Sequence, residues 1–155
     1  MNLIKTKIKG LVKLKPLIIR DERGSFIESY NKMSLNKLLG NKNFLQDNES
    51  ESSRGVLRGL HFQKPPYAQS KLVRCVKGVV LDVALDLRKH SKTYGNYLTT
   101  VLSSENKEQL FIPKGFAHGF IVLSDSAILS YKVDNYYNYE SESGIIWDDP
   151  HLNID

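Results

Sequence analysis

Arg58 and His61 in RGLHFQ, Lys71 in QSKLV and Tyr131 in SYKV are the side chains of this sequence best suited to proton chemistry. A histidine takes or gives a proton near neutral pH, an ammonium stabilises an oxygen that gains negative charge, and a phenol returns a proton. Together they make a complete set for exchanging a proton α to a carbonyl, and epimerisation beside a ketone is the simplest reaction that uses it without a cofactor. Each residue type also has an ordinary structural use, since a strand histidine is more often packed and a strand tyrosine more often core. Company favours the chemical reading: a histidine, a lysine and an arginine on adjacent strands are costly unless an anionic ligand or a carboxylate compensates them. Gln63 and Gln69 would add hydrogen-bond contacts there.

The elements that must position these residues are short strands. Alternation through RGLHFQ puts Leu57, Gly59 and His61 on one face and Arg58, Leu60 and Phe62 on the other. Lys71 opens the next strand after a connection containing Pro65 and Pro66, a spacing that predicts a hairpin with His61 and Lys71 side by side. Residues 3–8 alternate, residues 14–19 form a weaker strand because Pro16 removes a ladder donor, and DERG at 21–24 reads as a tight turn into a strand over 25–30. Leucines at 35, 38 and 39, closed by Gly40, predict a short helix. From Ser53 onwards, strand-like runs recur over 55–63, 71–76, 79–87, 95–102, 109–112, 119–123, 127–135 and 144–147. That cadence predicts an all-β sandwich or barrel of about ten strands with one or two short helices.

Length and composition agree with this class. With 155 residues, 41% hydrophobic and 25% charged, the chain is long enough to bury a core without a disulfide or structural metal. The single Cys75 lies in an apolar run, which fits a reducing, cytoplasmic setting, and no stretch is apolar enough to span a membrane or serve as a signal peptide. The formal charge of +5 suits an anionic small molecule, and the lysines are too scattered for a nucleic-acid binder. The KTKIKGLVKLK segment reads as a strand with a solvated lysine face.

Two glycine-centred segments resemble the halves of a double Greek key. Pro113, Gly115 and His118 match part of a cupin's second motif, but the first half holds only His61 where a metal cupin needs a His-x-His and a downstream glutamate. No metal and no cofactor is expected, and His90 and His151 read as solvated loop residues.

The ordered motifs DERGSFIESYN, FLQDNES, SRGVLRGLHFQ, QSKLVRCVKGVVLDVALDLR, TYG, LFIPKGFAHGF, YKVDNYYN and GIIWDDP resemble the dTDP-4-dehydrorhamnose 3,5-epimerase family from about residue 20 to residue 150. The resemblance implies one cupin-type double-stranded β-helix (jelly roll) over residues 1–155, used without metal, and a homodimer with strand exchange. It also implies a nucleotide-diphospho-4-keto-6-deoxy sugar as substrate and a place in making rhamnose or a related deoxysugar for surface polysaccharide. Residue by residue, the base falls on His61, the lysine near the 4-keto oxygen on Lys71 and the acid on Tyr131, with His118 as a further active-site histidine. Arg58, Gln46, Asn48 and Tyr137 match diphosphate and nucleotide contacts, and Arg23, Phe26 and Glu28 match residues that reach a ligand across the dimer. Family members carry, beyond the WDDP segment, a tail whose aspartate pairs with the catalytic histidine. The sequence ends at Asp155, so Asp82 or Asp86 is expected to serve His61 if that tail is absent from the protein. Alternatives within the same frame are a C3-only or C3/C5 epimerase of another nucleotide 4-keto sugar or heptose, a non-catalytic sugar-nucleotide binder, and a metal cupin.

Overall fold

A computed structural model describes residues 1–154; Asp155, the expected end of the domain, lies outside them. Thirteen strands form: β1 (Asn2–Lys5), β2 (Val12–Lys15), β3 (Ile18–Asp21), β4 (Gly24–Ile27), β5 (Gln46–Ser53), β6 (Leu57–Gln63), β7 (Lys71–Lys77), β8 (Val79–Asp86), β9 (Tyr97–Ser103), β10 (Gln109–Ile112), β11 (Phe116–Val122), β12 (Ser126–Val133) and β13 (Glu142–Gly144). A helix α1 (Lys32–Leu39) and a 3₁₀ turn (Tyr139–Ser141) complete the elements. One sheet runs β1-β2-β10-β7-β12-β5, the other β13-β6-β11-β8-β9, and β3 with β4 makes a separate hairpin. Every strand pair is antiparallel. Two such sheets packed face to face are the cupin-type jelly roll, the all-β class the strand cadence predicts.

Alternation decides what the barrel contains. Val73 and Cys75 of β7, Val80 and Ala84 of β8, Phe116, Phe120 and Val122 of β11, and Ala127 and Leu129 of β12 point inward and form the main core. The same faces also carry Lys71, Asp82, His118 and Tyr131, two residues before or after these apolar positions, so polar groups enter the barrel toward one end. Outward residues are covered separately. Helix α1 lays Leu35 on Val12, Leu14, Leu72 and Phe111, and the C-terminal residues Leu152 and Ile154 pack on Leu60, Val83, Leu85 and Ala117. The helix starts where the Asn31 side chain accepts from the Ser34 N–H and stops at Gly40, as the leucine spacing predicts.

Four expectations are corrected. The run 14–19 is two strands, β2 and β3, parted at Pro16, whose missing N–H ends the ladder. The lysine-rich start is interrupted at Thr6–Gly10, where the Thr6 hydroxyl donates to the Ile8 and Leu11 carbonyls and closes a turn. Strand β5, QDNESESS, was not expected: it has no aliphatic residue to signal a strand, yet it pairs with β12 along its whole length. Finally, β6 and β7 belong to different sheets, so His61 and Lys71 face one another across the barrel and not along a hairpin.

Candidate active site

The polar end of the barrel holds two adjoining cavities of about 150 and 390 Å³. His61, Lys71 and Tyr131 line both and stand between them. His61 comes from the smaller sheet, whereas Lys71 and Tyr131 come from neighbouring strands of the larger one, with the Lys71 ammonium 5.9 Å from the centre of the Tyr131 ring.

A bulge in β6 brings Arg58 into this group. His61 is opposite His118 and Arg58 is opposite Phe120, so three steps on β6 match two on β11. The extra residue shifts the alternation, putting Arg58 on the cavity side with His61 and sending Leu60 outward, which overturns the strict two-face pattern expected for RGLHFQ. Gly59 makes the bulge possible. Its φ is +122°, and a Cβ there would lie 2.5 Å from the Gly119 Cα, a separation no side chain tolerates.

Burial and charge set the protonation states. Removal from water lowers the Lys71 ammonium to about 8, and the carboxylates of Asp82 and Glu142 oppose that fall. Tyr131 is raised above the ordinary phenol value, chiefly by burial; Arg58 opposes the rise and Glu142 adds to it. At neutral pH the pair is therefore an ammonium beside a protonated phenol, an oxyanion stabiliser next to an acid.

Behind His61 on β11 lies His118, its Nε2 2.9 Å from Asp82 Oδ2 and both side chains buried. Asp82 thus anchors one ring nitrogen of His118, whose side chain also lines the larger cavity. This spends Asp82 on His118. Asp86 is likewise spent, accepting from the Arg88 guanidinium and from Ser91 and Thr93, which hold its carboxyl far below the ordinary range. Neither serves His61, contrary to expectation. Among the described residues, the carboxylate that His61 meets is Glu142, with Oε1 3.9 Å from Nδ1. Sequence reasoning missed Glu142 because it lies on a three-residue strand with no pattern of its own; Gly144 pairing with His61 sets its place.

Gln46, Asn48, Tyr137 and Glu142 line the smaller cavity, with the Tyr137 hydroxyl donating to Glu142 Oε2 at 2.6 Å. Gln63 and Gln69 also line it, but their amides fasten loops: Gln63 donates to the Tyr67 and Tyr136 carbonyls, and Gln69 to that of Asn135. Ser50 Oγ, on the wall of the larger cavity, is one of two buried side-chain oxygens without a partner among the described residues; the other is Asp82 Oδ1. Arg23, Phe26 and Glu28 are not brought to either cavity of their own chain. Arg23 pairs with Asp21 at the hairpin tip, Phe26 is 66% exposed, and Glu28 accepts from Asn31. No group of three metal-ligating side chains occurs among the described residues.

A jelly-roll barrel whose polar end opposes a histidine on one sheet to an ammonium and a phenol on the other defines an acid–base enzyme of the epimerase class. The family model described as dTDP-4-dehydrorhamnose 3,5-epimerase matches residues 5–155. A relative of that name from Shigella flexneri is 53% identical over 156 residues, spanning 100% of this chain and 86% of its own. Among solved structures, dTDP-4-dehydrorhamnose 3,5-epimerase from Elizabethkingia anophelis NUHP1 superposes with a TM-score of 0.95 at 52% identity, covering 100% of this chain and 85% of its own. The dTDP-6-deoxy-D-glucose-3,5-epimerase of Legionella pneumophila Philadelphia 1, solved with dTDP-4-keto-L-rhamnose, gives 0.96 at 50% identity, covering 99% and 82%. The chain belongs to the dTDP-4-dehydrorhamnose 3,5-epimerase family.

Proposed function

We propose that this chain converts dTDP-4-dehydro-6-deoxyglucose into dTDP-4-dehydrorhamnose, within dTDP-rhamnose biosynthesis, by inverting C3 and C5 with His61 as base and Tyr131 as acid. The observation that carries the mechanism is the placement of these two groups on opposite sheets with the cavity between them. With Nδ1 turned toward Glu142, His61 offers its other nitrogen to the sugar. It takes the C5 proton; the C–H electrons move to the C4–C5 bond and the carbonyl pair to the C4 oxygen. The enolate oxygen is stabilised by the Lys71 ammonium. Tyr131 then delivers its proton to the opposite face as the electrons return, which inverts the centre. Each turn leaves His61 protonated and Tyr131 as phenolate, and exchange with water restores both. Repetition at C3 completes the reaction. Arg58, oriented by Ser52, meets the diphosphate, while Gln46, Asn48 and Tyr137 meet the nucleoside.

The homodimer is part of this proposal. Among the described residues the β3–β4 hairpin pairs with no other strand and exposes Ile19 and Phe26, and β5, which carries Gln46 and Asn48, lies at the edge of its sheet. A hairpin crossing to a second copy would cover both edges and bring Arg23, Phe26 and Glu28 to the partner's nucleotide. We also place the enzyme in the cytoplasm, where Cys75 stays reduced; no helix among the described residues is long and apolar enough to cross a membrane.

The test is proton NMR of dTDP-4-keto-6-deoxyglucose with this chain in D₂O and a metal chelator. Loss of both the C3 and C5 signals is expected. Loss of one signal would make it a one-site epimerase, and retention of both with nucleotide binding intact would refute the assignment.

A further inference from the structure

Away from the catalytic cavities, and sharing no lining residue with them, a cleft of about 1200 Å³ opens beside α1 and the β1–β2 turn. Three distant stretches of chain meet there. The end of β1 and the turn after it contribute Lys5, Lys7 and Lys9, the segment after α1 contributes Lys42, and the loop after β8 contributes Lys89 and Lys92. None of the six takes part in an ion pair among the described residues, and no aspartate or glutamate lines the cleft. The whole chain carries a formal excess of +5, so the cleft alone gathers more uncompensated positive charge than the net charge of the molecule. Like charges gathered on one concave surface raise the local concentration of anions, most strongly at low salt.

Hydrogen bonds brace two of the segments that carry these lysines. Asp86, fully buried, accepts from Arg88, Ser91 and Thr93 and so fixes the loop that carries Lys89 and Lys92. The Arg88 guanidinium also sits over the Phe116 ring, and its charge is spent on Asp86. On the opposite wall, Thr6 braces the turn that carries Lys7 and Lys9. Leu3, Leu38 and Phe111 form an apolar floor, with the Lys42 ammonium 5.6 Å above the Phe111 ring.

We propose that this cleft is a second anion site that binds a compact polyphosphate, free or carried on a nucleoside. Its shape favours a compact ligand: lysines from three separate stretches of chain line one volume. Its makeup disfavours nucleic acid, because among the described residues no exposed Phe, Tyr or Trp ring lines it for base stacking. Lysines act on phosphate as point charges, so recognition is set by charge density and eases with salt.

The experiment is isothermal titration of the full chain with inorganic tripolyphosphate at low salt, repeated on Arg58→Ala and on a combined Lys7→Gln, Lys9→Gln, Lys89→Gln variant. The expected result is one site per chain that survives Arg58→Ala and weakens about tenfold or more in the triple variant, whose rate of proton exchange on the sugar stays at the wild-type level and shows it to be folded. A parallel titration with ATP separates the sources: tighter binding of ATP identifies a nucleoside polyphosphate, and equal or weaker binding identifies the free polyphosphate. Loss of the site in Arg58→Ala with retention in the triple variant would mean that the anion enters the catalytic cavity, and would overturn the proposal. So would the absence of saturable binding to the wild type, or binding only to anionic vesicles or duplex DNA.

Discussion

Lys71→Met tests the electrostatics of the site most directly, because it removes a charge while keeping the length and the apolar stem. Burial lowers the Lys71 ammonium from the ordinary 10.5 to about 8, a penalty of about 3 kcal/mol on the charged form at pH 7. The sign follows from proton binding. Below pH 8 folded and unfolded chains both hold the proton and the full penalty is present; between about 8 and 10.5 the folded chain has released it while the unfolded chain has not, so the penalty fades as pH rises. The variant should therefore be more stable than the wild type at pH 7 by up to about 3 kcal/mol, a figure in which the attraction to Asp82 and Glu142 is already set against burial. For a chain of this size that is a rise in Tm of about 2–4 °C per kcal/mol. Chemical denaturation at pH 7 and at steps up to pH 10.5 measures the difference, and the gap should close as the pH approaches the upper end. The same change should lower kcat by about 10²–10³, since the enolate oxygen loses its cation. A less stable variant at pH 7, or a stability gap that does not change with pH, would refute the reading that burial holds the ammonium at a cost.

Other outcomes follow from the same geometry. His61→Ala should abolish solvent exchange at C3 and C5 while dTDP still binds, whereas Tyr131→Phe should impair net inversion more than initial proton loss; NMR in D₂O separates the two. Exchange should decline as pH rises through about 8, where Lys71 loses its proton. Glu142→Gln should move that decline to lower pH by removing a carboxylate that supports the ammonium, and a pH–rate profile that did not move would remove Glu142 from the site's electrostatics. Gly59→Ala should destabilise the fold by more than about 3 kcal/mol in denaturant melts, because its Cβ meets the β11 backbone at 2.5 Å. Phe26→Asp should shift the chain toward monomer in light scattering and weaken nucleotide binding together, and a monomer with unchanged affinity would separate the hairpin from the site.

Much of the site was legible in the residues themselves. His61, Lys71 and Tyr131 are a chemically complete set wherever they meet, and the turn-punctuated runs left little room for any class but all-β. The helix was readable too, because Leu35 and Gly40 mark one face and one end in a local code. Features that depend on a partner strand were less legible. Strand β5 has no hydrophobic period, and only pairing with β12 makes QDNESESS a strand that turns Gln46, Asn48 and Ser50 toward the cavities.

What the sequence determined by itself was composition-level and local: an all-β chain, a lone thiol, a short helix and a candidate proton-transfer set. What the tertiary structure decided was who faces whom. Period-2 alternation predicts Arg58 and His61 on opposite faces, but a one-residue bulge against β11 reverses that, and bulges are settled between strands, not within one. Proximity in sequence suggested a hairpin for His61 and Lys71, whereas the two strands enter different sheets and the groups confront each other across a cavity. Asp82 pairs with His118, and Glu142 meets His61, because these contacts join strands far apart in the chain. Hydrogen bonding between strands is indifferent to side-chain chemistry, so register and sheet assignment are fixed only when the whole barrel packs.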